Sequence, residues 1–264
     1  MRPLWAGIAE ERPLAPRALR GASLVAVVSL PPWLLPLLAC PRCQGPLEVG
    51  GEARCLGCGA RYPFRGGFLD LRAGRERPHL WLANRLPPIP LLYDAWRRRS
   101  TGLLSGKKLS HAEELARLRE WLLPTGGPFL DVGTGTGVYR EALGNGAVGL
   151  DPSPAFLRVA RRRRPGAYLL GHGEHLPFRT GAFGGVAMGP TWNEFWDPLR
   201  AAQEACRVLR PGGRLFGMLL LGPGATFGLF RPQEEELLHL LERAGFRPHL
   251  ERFGALGLLR AEVS

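Results

Sequence analysis

Four cysteines stand as two C-x-x-C pairs, Cys40-Pro-Arg-Cys43 and Cys55-Leu-Gly-Cys58, separated by eleven residues. Two such pairs, with Gly45, Gly57 and Gly59 relieving the turns, can face each other and place four thiolates tetrahedrally around zinc. Four thiolates leave no open coordination position, so the expected metal is structural. A disulfide within C-x-x-C would close too small a loop to staple a fold. The remaining cysteine, Cys206, lies with Val208 and Leu209 on the apolar face of an expected helix and reads as core.

A second group of residues could hold a nucleoside. Phe129, Leu130 and Val132 form a short apolar strand that carries Asp131 and runs into Gly133, Thr134, Gly135 and Gly137, after which Val138, Ala142 and Leu143 open a helix. Glycines allow a tight turn and let a ligand lie against the backbone. The next strand, Ala147 to Leu150, ends at Asp151, followed by Pro152. Asp151 lies twenty residues beyond Asp131 (151 − 131), where a carboxylate can accept hydrogen bonds from both ribose hydroxyls. A dinucleotide fingerprint would require a third glycine at position 138, where Val138 stands.

With this loop and acid, the chain resembles the class I S-adenosylmethionine-dependent methyltransferases, over roughly Leu118 to Val263. GHGEHLPF, Gly171 to Phe178, is similar to their adenine-contact loop, and ACRVLRPGGRLFG, Ala205 to Gly217, to their helix, RPGG turn and fifth strand; Glu235 to Val263 resembles their final helix and hairpin. The resemblance implies an α/β, Rossmann-like seven-stranded sheet with an antiparallel last strand, and S-adenosyl-L-methionine as cofactor. It also implies site roles: Asp131, Gly133, Thr134, Gly135 and Gly137 at the methionine part, Asp151 and Pro152 at the ribose, His172, Gly173 and Glu174 on the adenine side, and Gly189 at the end of the fourth strand. Two positions depart from the family pattern. His172 replaces an Asp that reaches the adenine amine, and Gly184 follows Phe183 where the family has Phe-Asp. A neutral His172 ring nitrogen can still accept a hydrogen bond.

The cysteine module with YPFRGGFLDLR, Tyr62 to Arg72, resembles the zinc ribbon that precedes bacterial ribosomal RNA large-subunit guanine methyltransferases. It is more similar to that of a group of bacterial and plastid methyltransferase-domain proteins, which share LLYDAWRRR, Leu91 to Arg99. A shared ribbon does not fix a substrate. The expected organisation is an extension over 1–32, a ribbon over 33–72, a linker and helical cap over 73–123, and a methyltransferase domain over 124–264. Within the cap, Arg85 to Pro90 reads as a proline-stiffened connector and His111 to Leu123 as an amphipathic helix through Leu115, Leu118 and Leu122. A length of 264 residues with 45% apolar content suffices for one full core and a small metal-stabilised module.

The net charge of +12 favours an acidic partner. Arg97, Arg98, Arg99, Lys107 and Lys108 form one basic group and Arg161 to Arg164 another, which could draw an RNA backbone. Only two of 35 basic residues are lysines, a bias that enriches arginine everywhere, and solvated helix ends also explain Arg161 to Arg164. Tyr93 and Trp96 could stack on a base or line a lid over the cofactor. Residues 21 to 41 carry no charge, which raises a signal peptide or anchor. Pro31, Pro32 and Pro36 break any spanning helix, and thiolate-bound zinc beside an intracellular cofactor points to the cytoplasm, with no stable membrane insertion.

The catalytic residues are the least legible. GPTWNEFWDP, Gly189 to Pro198, follows the fourth strand at the sheet end where the methyl group should lie, and it lacks the Asp/Asn-Pro-Pro-aromatic motif of exocyclic-amine methylases. Asn193 and Glu194, framed by Trp192, Phe195 and Trp196, are the candidate substrate contacts, unless the tryptophans simply close the core. Three functional classes compete: a methyltransferase on ribosomal or transfer RNA, a methyltransferase on a quinone or lipid precursor that uses the apolar run Trp33 to Leu38 to reach a membrane, and a non-catalytic adaptor with a degenerate cofactor site.

Overall fold

The computed structural model of the chain describes residues 30–75, 88–222 and 229–264. The expected extension up to about residue 28, and with it the question of a leader, lies outside the described residues. Among the described residues, no helix is long and apolar enough to cross a membrane.

The cysteine module is a four-stranded antiparallel meander, β1 (Leu47–Val49), β2 (Glu52–Cys55), β3 (Arg61–Arg65) and β4 (Phe68–Leu69). It is fused to the larger sheet by main-chain bonds and shared packing. Ala39 N–H donates to Pro177 O at 2.9 Å, and Leu71 N–H to Leu170 O at 2.8 Å. Leu34, Leu38, Leu69 and Leu71 are buried in one core with Leu169, Leu176 and Phe178. Of the run Trp33 to Leu38, Leu34 and Leu38 are spent inside the protein, while Leu35 is exposed.

The seven-stranded sheet runs β10 (Phe246–Phe253), β11 (Leu256–Val263), β9 (Leu209–Leu220), β8 (Phe183–Met188), β5 (Phe129–Val132), β6 (Ala147–Asp151), β7 (Ala167–Leu170). β9, β8, β5, β6 and β7 are mutually parallel, and β11 is antiparallel to β9, as the resemblance implied. All residues of β5, β6, β7 and β8 are buried, which is why FLDV, AYLL and FGGVAM read as continuous rather than alternating runs. The chain leaves β5 for β6 and β7 on one side, then returns to β8 on the other. This reversal opens a crevice at the C-terminal ends of β5 and β8. Gly184 is explained by packing: a Cβ there would lie 2.0 Å from Gly126 O, so no side chain fits.

Six helices are described, and the first two form the cap. α2 (His111–Leu122) starts at Ser110, whose hydroxyl accepts from Glu113 N–H while the Glu113 carboxylate accepts from Ser110 N–H. The expected proline connector is corrected in part: Arg85 to Pro87 lie outside the described residues, but Pro88 and Pro90 sit in the first turn of a 17-residue helix, α1 (Pro88–Leu104). Proline is tolerated there because first-turn N–H groups have no helical partner. α3 (Val138–Leu143), α4 (Pro154–Arg163), α5 (Pro198–Val208) and α6 (Glu234–Arg243) complete the domain. Ser153 caps α4 through Phe156 N–H, and Asp197 caps α5 through Arg200 N–H.

Candidate cofactor pocket and zinc centre

A cavity of about 710 Å³ occupies the crevice, a size that holds a ligand of drug-like dimensions. Of the expected cofactor residues it is lined by Gly133, Gly135, Asp151, Pro152, His172, Gly173 and Glu174. Gly133 has φ +65°, and a Cβ on it would come within 2.3 Å of Thr191 on the loop after β8. A Cβ on Gly173 would meet Phe195 at 2.5 Å. The cradle therefore requires glycine at both positions. Asp151 is pre-aimed: one carboxylate oxygen accepts from Gly135 N–H and the other from Ser153 N–H, each at 2.8 Å.

Asp131, Thr134, Gly137 and Gly189 do not line the cavity. Asp131 instead braces the loop from beneath, accepting from the Thr134 hydroxyl at 2.5 Å and from Arg140 N–H at 2.9 Å. Burial pushes its carboxyl up to about 7. Thr134 N–H is held by Leu150 O, and Gly137 (φ +85°) packs so closely on Tyr168 that a Cβ would lie 2.4 Å from its hydroxyl. These residues shape the cradle without touching its contents.

On the adenine side the ribbon's tail completes the wall. Gly74 N–H donates to His172 Nδ1 at 2.9 Å, Arg72 donates to Pro152 O at 3.2 Å, and Arg75 lines the cavity. Arg72 is aimed by a two-pronged ion pair with Asp70. Because Nδ1 accepts from Gly74, a neutral His172 carries its proton on Nε2. That nitrogen is buried, and the ring nitrogen able to accept is taken by the Gly74 backbone. No sequence signal marked Gly74 or Arg72 for this task, since the contact spans 98 positions (172 − 74).

The rest of the lining is largely apolar. Ile89, Leu92, Tyr93 and Trp96 of α1 face Phe156, Phe195, Thr191 and Glu194. Tyr93 stands edge-on to Phe156 with ring centroids 5.1 Å apart, and burial pushes its hydroxyl above the usual phenol range. Tyr93 and Trp96 thus take the lid role. Asn193 is a correction: its amide donates to Leu220 O and Phe230 O and accepts from Leu220 N–H, so it ties the loop to β9 and is absent from the cavity wall. Trp192 is wholly buried, whereas Trp196 is half exposed.

The four cysteine sulfurs all lie within 4.8 Å of one another, with Cys40 to Cys58 at 3.7 Å and Cys43 to Cys55 at 3.5 Å. Tetrahedral Zn–S bonds of about 2.3 Å place sulfurs roughly 3.8 Å apart, so the donor set fits zinc. Cys58 N–H points at Cys55 Sγ from 3.4 Å, and backbone donors, Cys58 first, pull that thiol down to about 6. A Cβ on Gly45 would lie 3.3 Å from two of the sulfurs. The left-handed residue in the first turn is Gln44, at φ +61°, rather than Gly45.

The basic groups divide. Arg97 is 5% exposed and pairs with Glu114, which also accepts from Tyr139 and His111. Arg161 donates to Gly66 O and Gly67 O of the ribbon and stacks on Phe68, and Arg163 and Arg164 pair with Asp94. Arg97 is an internal brace, and Arg161, Arg163 and Arg164 are tied down by partners at the surface. Arg98, Arg99, Lys107, Lys108 and Arg162 remain exposed. Cys206 is part-buried against the core, where burial raises its thiol.

Comparison with known proteins agrees with this geometry. Residues 130–217 match a family model described as a methyltransferase domain. An uncharacterized methyltransferase of Mycobacterium tuberculosis is 41% identical over 102 residues, covering 36% of this chain and 41% of that protein. A demethylmenaquinone methyltransferase of Renibacterium salmoninarum is 36% identical over 113 residues, covering 41% of this chain and 47% of that protein. The chain thus spans less than half the length of these curated relatives. Among solved structures, a SAM-dependent methyltransferase from Thermotoga maritima superposes with a TM-score of 0.52 at 23% identity, over 66% of this chain and 97% of that one. It shares the fold.

Proposed function

We propose that this chain, which carries a class I methyltransferase domain and a structural zinc ribbon, transfers a methyl group from S-adenosylmethionine to a small, largely apolar acceptor. The observation that carries this reading is the mixed lining of the cavity. The glycine cradle, Asp151 and His172 share its wall with the apolar side chains Ile89, Leu92, Tyr93, Trp96 and Phe195, with Glu194 among them.

When bound, the cofactor supplies an electrophilic methyl group on a sulfonium. The chain's part is positioning, the main source of acceleration in an in-line displacement. Gly133 and Gly135 let the ligand lie on the backbone, Asp151 accepts from ribose hydroxyls, and the Tyr93 and Trp96 rings exclude water above it. Glu194 lines the cavity, and a carboxylate there can take a proton from a hydroxyl or an acidic carbon of an acceptor. The relationship to a demethylmenaquinone methyltransferase supports a small-molecule acceptor. The RNA reading is weakened by Arg97, which faces Glu114 and not solvent.

Calorimetric titration with S-adenosylmethionine and S-adenosylhomocysteine tests the first half. Micromolar binding is expected, with Asp151→Ala weakening it roughly 10- to 100-fold through loss of charge-assisted hydrogen bonds. Absence of binding by folded, zinc-loaded protein would overturn methyl transfer in favour of an adaptor. Labelled methyl transfer into separated lipid and RNA fractions tests the second half. Label in the lipid extract is expected, and label confined to RNA would overturn the small-molecule acceptor.

A further inference from the structure

Helix α1 is amphipathic in the inverted sense. The face it turns inward carries Pro90, Asp94, Arg97 and Thr101, spaced by four, three and four residues. These inward polar groups are all engaged: Arg97 with Glu114 and Thr101, and Asp94 with Thr136, Arg163 and Arg164. The opposite face carries Leu92, Trp96 and Leu103, which are 66%, 56% and 72% exposed. At 100° per residue these three side chains fall within about 40° of one another and run for roughly 16 Å. A helix normally buries its apolar stripe. Here the buried network holds the stripe outward.

Two further observations identify what covers it. The stripe is continuous with the cavity, because Leu92 and Trp96 also form its wall. It is bordered by cations: Arg99 falls about 20° from Leu92 around the helix, and both lysines of the chain, Lys107 and Lys108, stand just past its end. The one acid between Arg77 and Ala112 is Asp94, which is buried and paired. Arg98, Arg99, Lys107 and Lys108 make no ion pair with described residues. An apolar ridge with a cationic border matches the boundary between acyl chains and anionic headgroups.

We propose that α1 docks the protein on an anionic lipid surface, with Leu92, Trp96 and Leu103 inserted and Arg99, Lys107 and Lys108 at the headgroups. The cavity mouth then opens on the lipid, and a lipid-soluble acceptor reaches Glu194 along Leu92 and Trp96. The docking itself needs no cofactor. Only the role given to the acceptor rests on the methyl-transfer reading.

Flotation of the full chain with vesicles tests this, using phosphatidylglycerol mixed with phosphatidylcholine against phosphatidylcholine alone. The wild-type chain is expected to float with the anionic vesicles and to be released by salt. Leu103→Glu, and separately Arg99→Glu with Lys108→Glu, are expected to weaken partitioning by about tenfold or more. These residues lie outside the cavity wall, so cofactor affinity and Tm should stay at wild-type values, which separates a docking failure from failure of the methyl-transfer reading. Absence of flotation with anionic vesicles, or flotation unchanged in both variants, would overturn the proposal. So would a solution dimer split by Leu103→Glu, which assigns the face to a second copy, or RNA capture lost in the double variant with no vesicle binding.

Discussion

The backbone N–H of Gly74 donates to Nδ1 of His172 across 2.9 Å, joining the tail of the zinc ribbon to the adenine wall of the cofactor cavity. The approach is close enough that a Cβ on Gly74 would lie 2.9 Å from His172 Cβ and Cγ. Gly74→Ala should therefore turn the ring and weaken S-adenosylhomocysteine binding by roughly tenfold, the worth of one well-placed hydrogen bond. Calorimetry should register this while Tm changes little, because Gly74 is not part of the core. Unchanged affinity would dissociate the ribbon's tail from the cofactor site.

Zinc removal should act at the same wall from farther away. Cys40 and Cys55 are buried in the core shared with Leu69 and Leu71, and Leu71 is bonded to Leu170. One zinc per chain is expected by elemental analysis. Its removal by a chelator should lower both Tm and cofactor affinity, because freed thiols cannot hold the two knuckles together. A chelated protein that binds cofactor normally would contradict this coupling.

Asp131 makes stability depend on pH. Its carboxyl, at an ordinary value near 4 in an unfolded chain, is pushed by burial up to about 7 in the folded one. The folded state therefore binds the proton more tightly, and the contribution is complete below about 4 and lost as pH rises through about 7. Asp131→Asn keeps an oxygen to accept from Thr134 and Arg140 but cannot ionise. In thermal melts the wild type should lose stability between pH 5 and pH 8 relative to Asp131→Asn. Parallel curves would rule out a raised carboxyl.

The buried pair of Arg97 and Glu114 should be costly to break. Burial alone would raise the Glu114 carboxyl, but His111, Arg97 and Tyr139 hold it below its usual value. Glu114→Ala strands a guanidinium that is nearly sealed from water, at a cost of about 3 kcal/mol. Denaturant unfolding should show the loss. A smaller cost in Glu114→Gln, which can still accept from Tyr139, would apportion charge and hydrogen bonding.

The sequence by itself determined what depends on short spacing. Two C-x-x-C pairs defined the zinc ligands, because ligands on one tight turn need no information about the rest of the chain. The apolar runs, the alternating glycines and Asp151 defined the sheet and its ribose acid, because a strand, a loop and a helix start are encoded within a few residues of one another. Ser110 and Glu113 marked the start of α2 in the same way. Tertiary structure decided what depends on distant partners. Asp131 and Asp151 look alike in sequence, yet the depth of each in the sheet made one a brace and the other a cavity wall. Asn193 and Glu194 are neighbours, but turning along the loop sent the amide to β9 and left Glu194 in the cavity wall. Arg97, Arg98 and Arg99 read as one patch until Glu114, seventeen positions away from Arg97, drew the first of them inside. A charge's role is set by what lies opposite it in space, and only the packing of α1 on α2 put Glu114 there.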